Sequence, residues 1–166
     1  MGTAKKRSTV SSTIHIGLGK RLRLAHMAFS RGLRMELAKE NVSFGQFVHL
    51  ERLWEQDGIT QKELSARVGV ETASSTAILA ELEALGFVKR ERNAEDRRAV
   101  NVFLTPAGRA LKPALLACAG RVNARARQAL PEELIEPLMK ALDTISGALS
   151  DTYPQAGQTG RQRLQT

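Results

Sequence analysis

The stretch Thr60–Gly108 reads TQKELSARVGVETASSTAILAELEALGFVKRERNAEDRRAVNVFLTPAG, and its punctuation sets the plan of the chain. Thr60-Gln61-Lys62-Glu63 is a capping box, in which the Thr hydroxyl takes the backbone N–H three residues on and Glu63 reaches back. The short helix it opens carries Leu64, Ala66 and Val68. It stops at Gly69, which turns left-handed at no steric cost. A second helix follows, with Ala73, Ala77, Ile78, Leu79, Leu82 and Leu85 as its expected apolar stripe. Its first turn, Thr72-Ala73-Ser74-Ser75-Thr76, is small and rich in hydroxyls, so it can sit deep in a major groove.

Two alternating runs come next. Phe87-Val88-Lys89-Arg90-Glu91-Arg92 and Val100-Asn101-Val102-Phe103-Leu104 read as strands, with Asn93-Ala94-Glu95-Asp96 as turn chemistry between them. Lys89, Arg90, Arg92, Arg97 and Arg98 crowd this hairpin, and arginines on a thin projecting loop can enter a minor groove. Thr105-Pro106 starts another helix, with Pro at its favoured first position. Helix, turn, helix and basic hairpin make a winged helix-turn-helix. The expected DNA-contacting set is Thr60, Gln61, Thr72, Ser74, Ser75, Thr76, Lys89, Arg90, Arg92, Arg97 and Arg98.

The run from Asp96 to Gly108 resembles the wing signature of MarR-family (multiple antibiotic resistance regulator) transcription factors: Asp-x-Arg, a short strand, then Leu-Thr-x-x-Gly. Gln61-Lys62-Glu63-Leu64 and the run from Leu82 to Val88 match that family in kind and spacing. The resemblance extends over roughly residues 14–149. It implies that Arg98 reaches the minor groove and that Asp96 holds the wing arginines in place. The chain departs from the pattern at Ala77 and Glu81, where family members usually and often, respectively, carry Arg. Base reading then falls to Thr72, Ser74, Ser75 and Thr76, which discriminate less per contact than a bidentate Arg.

The flanks supply long amphipathic helices. Residues 1–12 are polar and basic and are expected to be a flexible arm. A first helix is expected over 13–41, with Leu18, Leu22, Ala25, Phe29, Leu33 and Leu37 on one face. Lys20, Arg21, Arg23, Arg31 and Arg34 lie on the other, with no acid before Glu36. Ser43-Phe44-Gly45-Gln46 opens a helix ending near Gln56. By resemblance, a short strand near Ile59 pairs with the wing.

After the wing, a helix is expected from Pro106 to about Leu130, with a kink at Pro113, and another restarts at Pro131. Leu134, Leu138, Leu142, Ile145 and Leu149 line one face of the latter, and residues 151–166 read as a flexible tail. The expected fold is therefore mainly α with a small β-wing. One domain over 13–150 would hold a DNA-reading core at 43–108 and dimerisation helices at 13–41 and 106–150. By resemblance, the first helix and the last two build a homodimer. A two-fold dimer buries both apolar faces at once and matches a pseudo-palindromic duplex with half-sites one helical turn apart. Packing within a monomer is the alternative.

The formal net charge is +8, which calls for an anionic partner. No apolar run is long enough to span a bilayer, and the basic N-terminus lacks the apolar segment of a signal peptide, so the expected location is cytoplasmic. The single cysteine, Cys118, sits in an Ala/Leu-rich helix and reads as a small buried hydrophobe. His15, His26 and His49 have no partners at metal-ligand spacing, so no metal or cofactor is expected. No nucleophile elbow, phosphate loop or isolated carboxylate pair points to an enzyme.

MarR-like regulators often bind a small aromatic or acyl compound between the dimer-forming helices and the reading core, which shifts the two heads out of register. The matching residues here are His26, Phe29, Phe44, Phe47, His49 and Trp54. Lys20, Arg21, Arg23, Arg31 and Arg34 could hold the phosphates of an aromatic acyl-CoA thioester. The leading expectation is a dimeric repressor released by such an effector, an aromatic acid or its CoA thioester. The alternatives are a sequence-tolerant architectural DNA-binding protein and a winged-helix protein-interaction module.

Overall fold

The computed structural model describes residues 10–153. Residues 1–9 of the expected arm and most of the expected tail lie outside the described residues, and α1 takes in residues 10–12, the end of that arm. The elements follow in the order α1 (Val10–Ala38), α2 (Phe44–Glu55), α3 (Gln61–Val68), α4 (Thr72–Ala84), β1 (Val88–Arg92), β2 (Val100–Leu104), α5 (Pro106–Ala110), α6 (Lys112–Arg127) and α7 (Glu132–Thr152). The fold is mainly helical with one two-stranded antiparallel wing, as the sequence predicts.

Local signals explain most boundaries. The Ser43 hydroxyl accepts from Gln46 N at 3.1 Å while Gln46 Oε1 accepts from Ser43 N at 3.0 Å, a closed capping box at the start of α2. Thr60 caps α3 by accepting from Glu63 N at 3.1 Å. Glu63 does not reach back as expected, because its carboxylate accepts from Arg67 one turn on, at 2.7 Å. Gly69 ends α3 at φ 77°, and the Gly69 and Val70 amides close onto Ser65 and Ala66 carbonyls.

The wing pairs in a simple register from Val88↔Leu104 to Arg92↔Val100. Gly58 N donates to the Val102 carbonyl and Val102 N to the Ile59 carbonyl, both at 3.0 Å. The strand expected near Ile59 is thus reduced to one bridge, Thr60↔Asn101. Asp57 fastens that junction, with Oδ1 accepting from Leu104 N at 2.8 Å and Oδ2 from Arg109 at 2.6 Å.

One core joins these elements. Leu37 of α1, Leu50 and Leu53 of α2, Leu64 of α3, Leu79 and Leu82 of α4, Val102 of β2 and Leu115 of α6 are fully buried. Burying each leucine side chain is worth roughly 1.5–3 kcal/mol, so this cluster is the main stabilising term.

Three expectations change. The single helix from Pro106 to Leu130 is divided at Leu111, and Pro113 lies in the first turn of α6 rather than at a kink. A first-turn proline sacrifices no helical hydrogen bond, whereas one in mid-helix does. On α4 the buried residues are Ser75, Leu79 and Leu82, while Ala73, Ala77 and Leu85 are exposed. Spacings of four and three put 75, 79 and 82 on one face, and Ala73 and Ala77 fall outside it. Finally, α1 starts at Val10 and ends at Ala38, with Asn41 turning left-handed at φ 56°.

The outer helices leave apolar surface uncovered. On α1, Leu37 is buried but Leu18, Leu24, Met27 and Phe29 are exposed. On α7 only Ile135 is buried, and Leu134, Leu138, Met139 and Leu149 face outward. Among the described residues α7 has no extensive packing against any other element.

Candidate nucleic-acid interface

The expected recognition helix, α4, is placed by α2 and by the wing. From the α2 side, His49 Nε2 lies 3.0 Å from Ser75 Oγ and Gln46 donates to Glu81 at 3.0 Å. From the wing side, the Glu83 carboxylate accepts from Arg90 N at 3.0 Å, Nε at 2.9 Å and Nη2 at 2.6 Å. This charge-assisted grip holds the Glu83 carboxyl below its ordinary value; the Arg90 side-chain bond is the largest cause. It fastens β1 to the C-terminal half of α4.

The exposed surface of α4 is made by Thr72, Ala73, Ser74, Thr76, Ala77, Ala80, Glu81 and Ala84. Ser75 is not part of it. Its hydroxyl is fully buried against His49, so the expected base contact by Ser75 is corrected to an internal one. Thr76 donates to the Thr72 carbonyl at 2.7 Å and accepts from Gln61, which ties the start of α3 to the start of α4. Thr60, Gln61, Lys62 and Thr72 share an open groove of about 550 Å³ with Asp96, Arg98, Ala99 and Val100 of the wing. The groove brings the opening turns of both helices face to face with the wing tip.

The wing tip is held by asparagine and aspartate chemistry. Asn93 Oδ1 accepts from the amides of Glu95 and Asp96 at 2.8 and 2.9 Å, and Asn93 Nδ2 donates to Asn101 at 3.0 Å. Asp96 Oδ1 accepts from Arg98 N at 2.9 Å. Asp96 thus supports the wing through its backbone and pairs with no guanidinium among the described residues, which corrects the expectation that it holds the arginine side chains.

The wing cations divide into two groups. Arg90 is taken up by Glu83, and Lys89 pairs with Glu91 at 2.6 Å and lies 5.4 Å from the centre of the Phe103 ring. Neither is free to reach a groove without giving up a partner. Arg92, Arg97 and Arg98 are exposed, and among the described residues no carboxylate lies within ion-pair distance of them. Capture of Arg90 by Glu83 was missed in the sequence. Its only signal is an acid seven residues before a base, spanning a helix end and a turn.

The residues expected to bind an effector meet only in pairs, Phe47 with Trp54 and Arg34 with Phe44. Phe47 and His49 are buried, with Trp54 packed edge-on against Phe47 at 6.4 Å and donating from Nε1 to the Gly108 carbonyl at 3.1 Å. They belong to the core, which corrects their placement in a pocket. His26 sits 3.4 Å from Ser30 on exposed α1, and Arg34 stacks 4.9 Å from the centre of the Phe44 ring. Lys20, Arg21, Arg23, Phe29 and Arg31 are exposed on α1. Cys118 is buried as expected but has polar neighbours: Arg121 Nη2 lies 3.2 Å from its sulfur, and the thiol points to the Glu36 carbonyl at 3.6 Å. Among the described residues no group of His, Cys, Asp or Glu could hold a metal ion, and no helix is long and apolar enough to cross a membrane.

The profile of the MarR family matches residues 42–100, from the loop before α2 through the wing. The HTH-type transcriptional regulator TtmR of Methylorubrum extorquens (strain PA1) is 32% identical over 132 residues, or 80% of this chain. This chain is similar to MarR-family regulators over its helix-turn-helix and wing. It spans 65% of the length of TtmR. The organic hydroperoxide resistance transcriptional regulator of Bacillus subtilis (strain 168) is 29% identical over 109 residues, covering 66% of this chain and 73% of that regulator. Apo wild-type MarR of E. coli has the same fold, with a TM-score of 0.72 and 25% identity over 77% of this chain and 95% of that one. TtmR and the Bacillus subtilis protein are transcriptional regulators.

Proposed function

We propose that the chain is a dimeric DNA-binding transcriptional regulator, a repressor released by a small-molecule effector. The observation that carries this reading is the groove between the wing and the helix openings. On one wall stand the hydroxyl-rich starts of α3 and α4, and on the other Arg98, with Arg92 and Arg97 also exposed on the wing. Small polar side chains suit a major groove and projecting arginines suit the adjacent minor groove. Exposed Leu134, Leu138 and Met139 on α7 and Leu18, Leu24 and Phe29 on α1 supply the apolar area of a two-fold dimer.

Selection from a random duplex pool tests the reading. It predicts enrichment of a pseudo-palindrome with half-sites about one helical turn apart. A pool that stays random sinks it. A second reading, sequence-tolerant binding, is favoured by one observation: α4 carries no Lys or Arg, and Glu81 is held by Gln46. The random pool is its expected outcome.

For the effector, the exposed cations of α1 favour a phosphate-bearing aromatic acyl-CoA over the free aromatic acid. Thermal-shift titration with both compounds decides, and stabilisation by the free acid alone rejects the thioester.

A further inference from the structure

His49 lies on α2, outside any surface that DNA could touch, yet it is the most completely enclosed polar group next to the recognition helix. Its Nδ1 is 2.7 Å from the Gly45 carbonyl, and its Nε2 is 3.0 Å from Ser75 Oγ. A carbonyl only accepts, so Nδ1 carries the proton. In a neutral ring Nε2 then accepts, and the Ser75 hydroxyl donates to it. Burial holds the ring below its ordinary pKa, outweighing the Gly45 bond that pulls the other way, and so favours that neutral form. Every buried polar side-chain atom among the described residues has a partner, so the pair is a satisfied one.

The same face of α2 meets α4 at two further points. Gln46 donates to Glu81 at 3.0 Å. Gly45 lets Ile78 approach so closely that a Cβ there would stand 2.8 Å from Ile78 Cδ1. Three contacts at 75, 78 and 81 run along successive turns of α4 and fix its rotation as well as its position. Rotation matters because an α-helix with side chains is ~10–12 Å across, so a turn of ~20° about the axis moves a side-chain tip by roughly 2 Å. That is enough to lose a base contact, which needs hydrogen-bond distance and direction.

We infer that His49 and Ser75 form a buried positioning pair that sets the rotation of α4 and thereby which of its residues meet base edges. The inference rests on the reading of α4 as the DNA-reading helix. Because α4 has no long cationic side chain to adapt to a shifted frame, its short Thr and Ser side chains depend on the frame itself.

The test uses the full-length protein with three variants: His49→Leu, Ser75→Ala and the double variant. Either single change strands one buried partner and lowers stability. The double change removes both members of the pair, so neither is left without the other, and its Tm returns towards wild type. Its preference for the selected operator over a scrambled duplex nevertheless falls roughly tenfold, the worth of about one base contact, while the salt dependence of non-specific binding is unchanged. A folded double variant that keeps the wild-type preference overturns the inference. So does a 15N spectrum showing the His49 proton on Nε2. A wild-type protein with no preference between duplexes defeats the DNA reading itself and the inference with it.

Discussion

Replacing Gly108 by alanine tests how the wing is joined to the helices behind it. Gly108 is buried at the start of α5, and an alanine Cβ there would stand 2.0 Å from the Phe87 carbonyl oxygen. Real Cβ atoms stay beyond 3.0 Å, so α5 or the backbone at the start of β1 must move by about 1 Å. Neither is free to do so. The Phe87 carbonyl accepts from Thr105 N at 3.0 Å, and Thr105 Oγ1 donates to the Gly86 carbonyl at 2.6 Å while accepting from Gly108 N at 3.1 Å. The Gly108 carbonyl in turn takes the Trp54 indole N–H.

Overpacking alone costs roughly 1–3 kcal/mol, and each weakened hydrogen bond adds roughly 0.5–1.5 kcal/mol. A total near 3 kcal/mol corresponds to a Tm lower by about 6–12 °C in a domain of this size. Thermal unfolding followed by circular dichroism, at one protein concentration because a dimer melts in a concentration-dependent way, reads this directly. A Tm within about 2 °C of wild type would refute the packing argument, since it would correspond to a loss of no more than roughly 1 kcal/mol. The contact also gives a physical reason for the glycine that closes the Leu-Thr-x-x-Gly run.

Three other outcomes follow from the same geometry. Arg98→Ala should weaken operator binding by roughly 1–3 kcal/mol in an anisotropy titration and leave the Tm unchanged, because the side chain is exposed and has no ion-pair partner among the described residues. Leu138→Asp should yield monomers in sedimentation, since it places a charge on the exposed apolar face of α7. Stability should fall on acidification in two windows. His49 is depressed in the fold, so the unfolded chain takes its proton first; that contribution is complete above about 6.5 and declines below it. Glu83 is also depressed, so its contribution is present above its ordinary value of 4.5 and lost as the pH falls further. Urea unfolding at several pH values should show both declines, and the His49→Leu, Ser75→Ala double variant should lack the first.

Elements with short-range signatures were legible in the sequence. The capping residues Ser43 and Thr60, the left-handed Gly69 and the Asn93–Asp96 turn each act over three or four positions, so spacing alone reveals them. What depended on distant partners was not. Ser75 looks like a surface hydroxyl until His49, 26 positions away, supplies an acceptor in the core. Arg90 looks like a DNA contact until the fold lays it against Glu83. Asp96 suggests an ion pair because charge is visible in a sequence, whereas its bond to the Arg98 amide depends on the backbone path. Phe47 and Trp54 resemble pocket walls in the sequence because an aromatic side chain looks alike there whether it lines a cavity or fills a core.

The most direct measurement is fluorescence anisotropy with the duplex upstream of the protein's own gene against a scrambled duplex, near 0.15 M salt. Tight binding to the first alone, weakening steeply as salt rises, is the predicted result. Equal binding to both would contradict sequence reading by α4, and binding to neither would contradict the assignment of the wing and its exposed arginines to DNA.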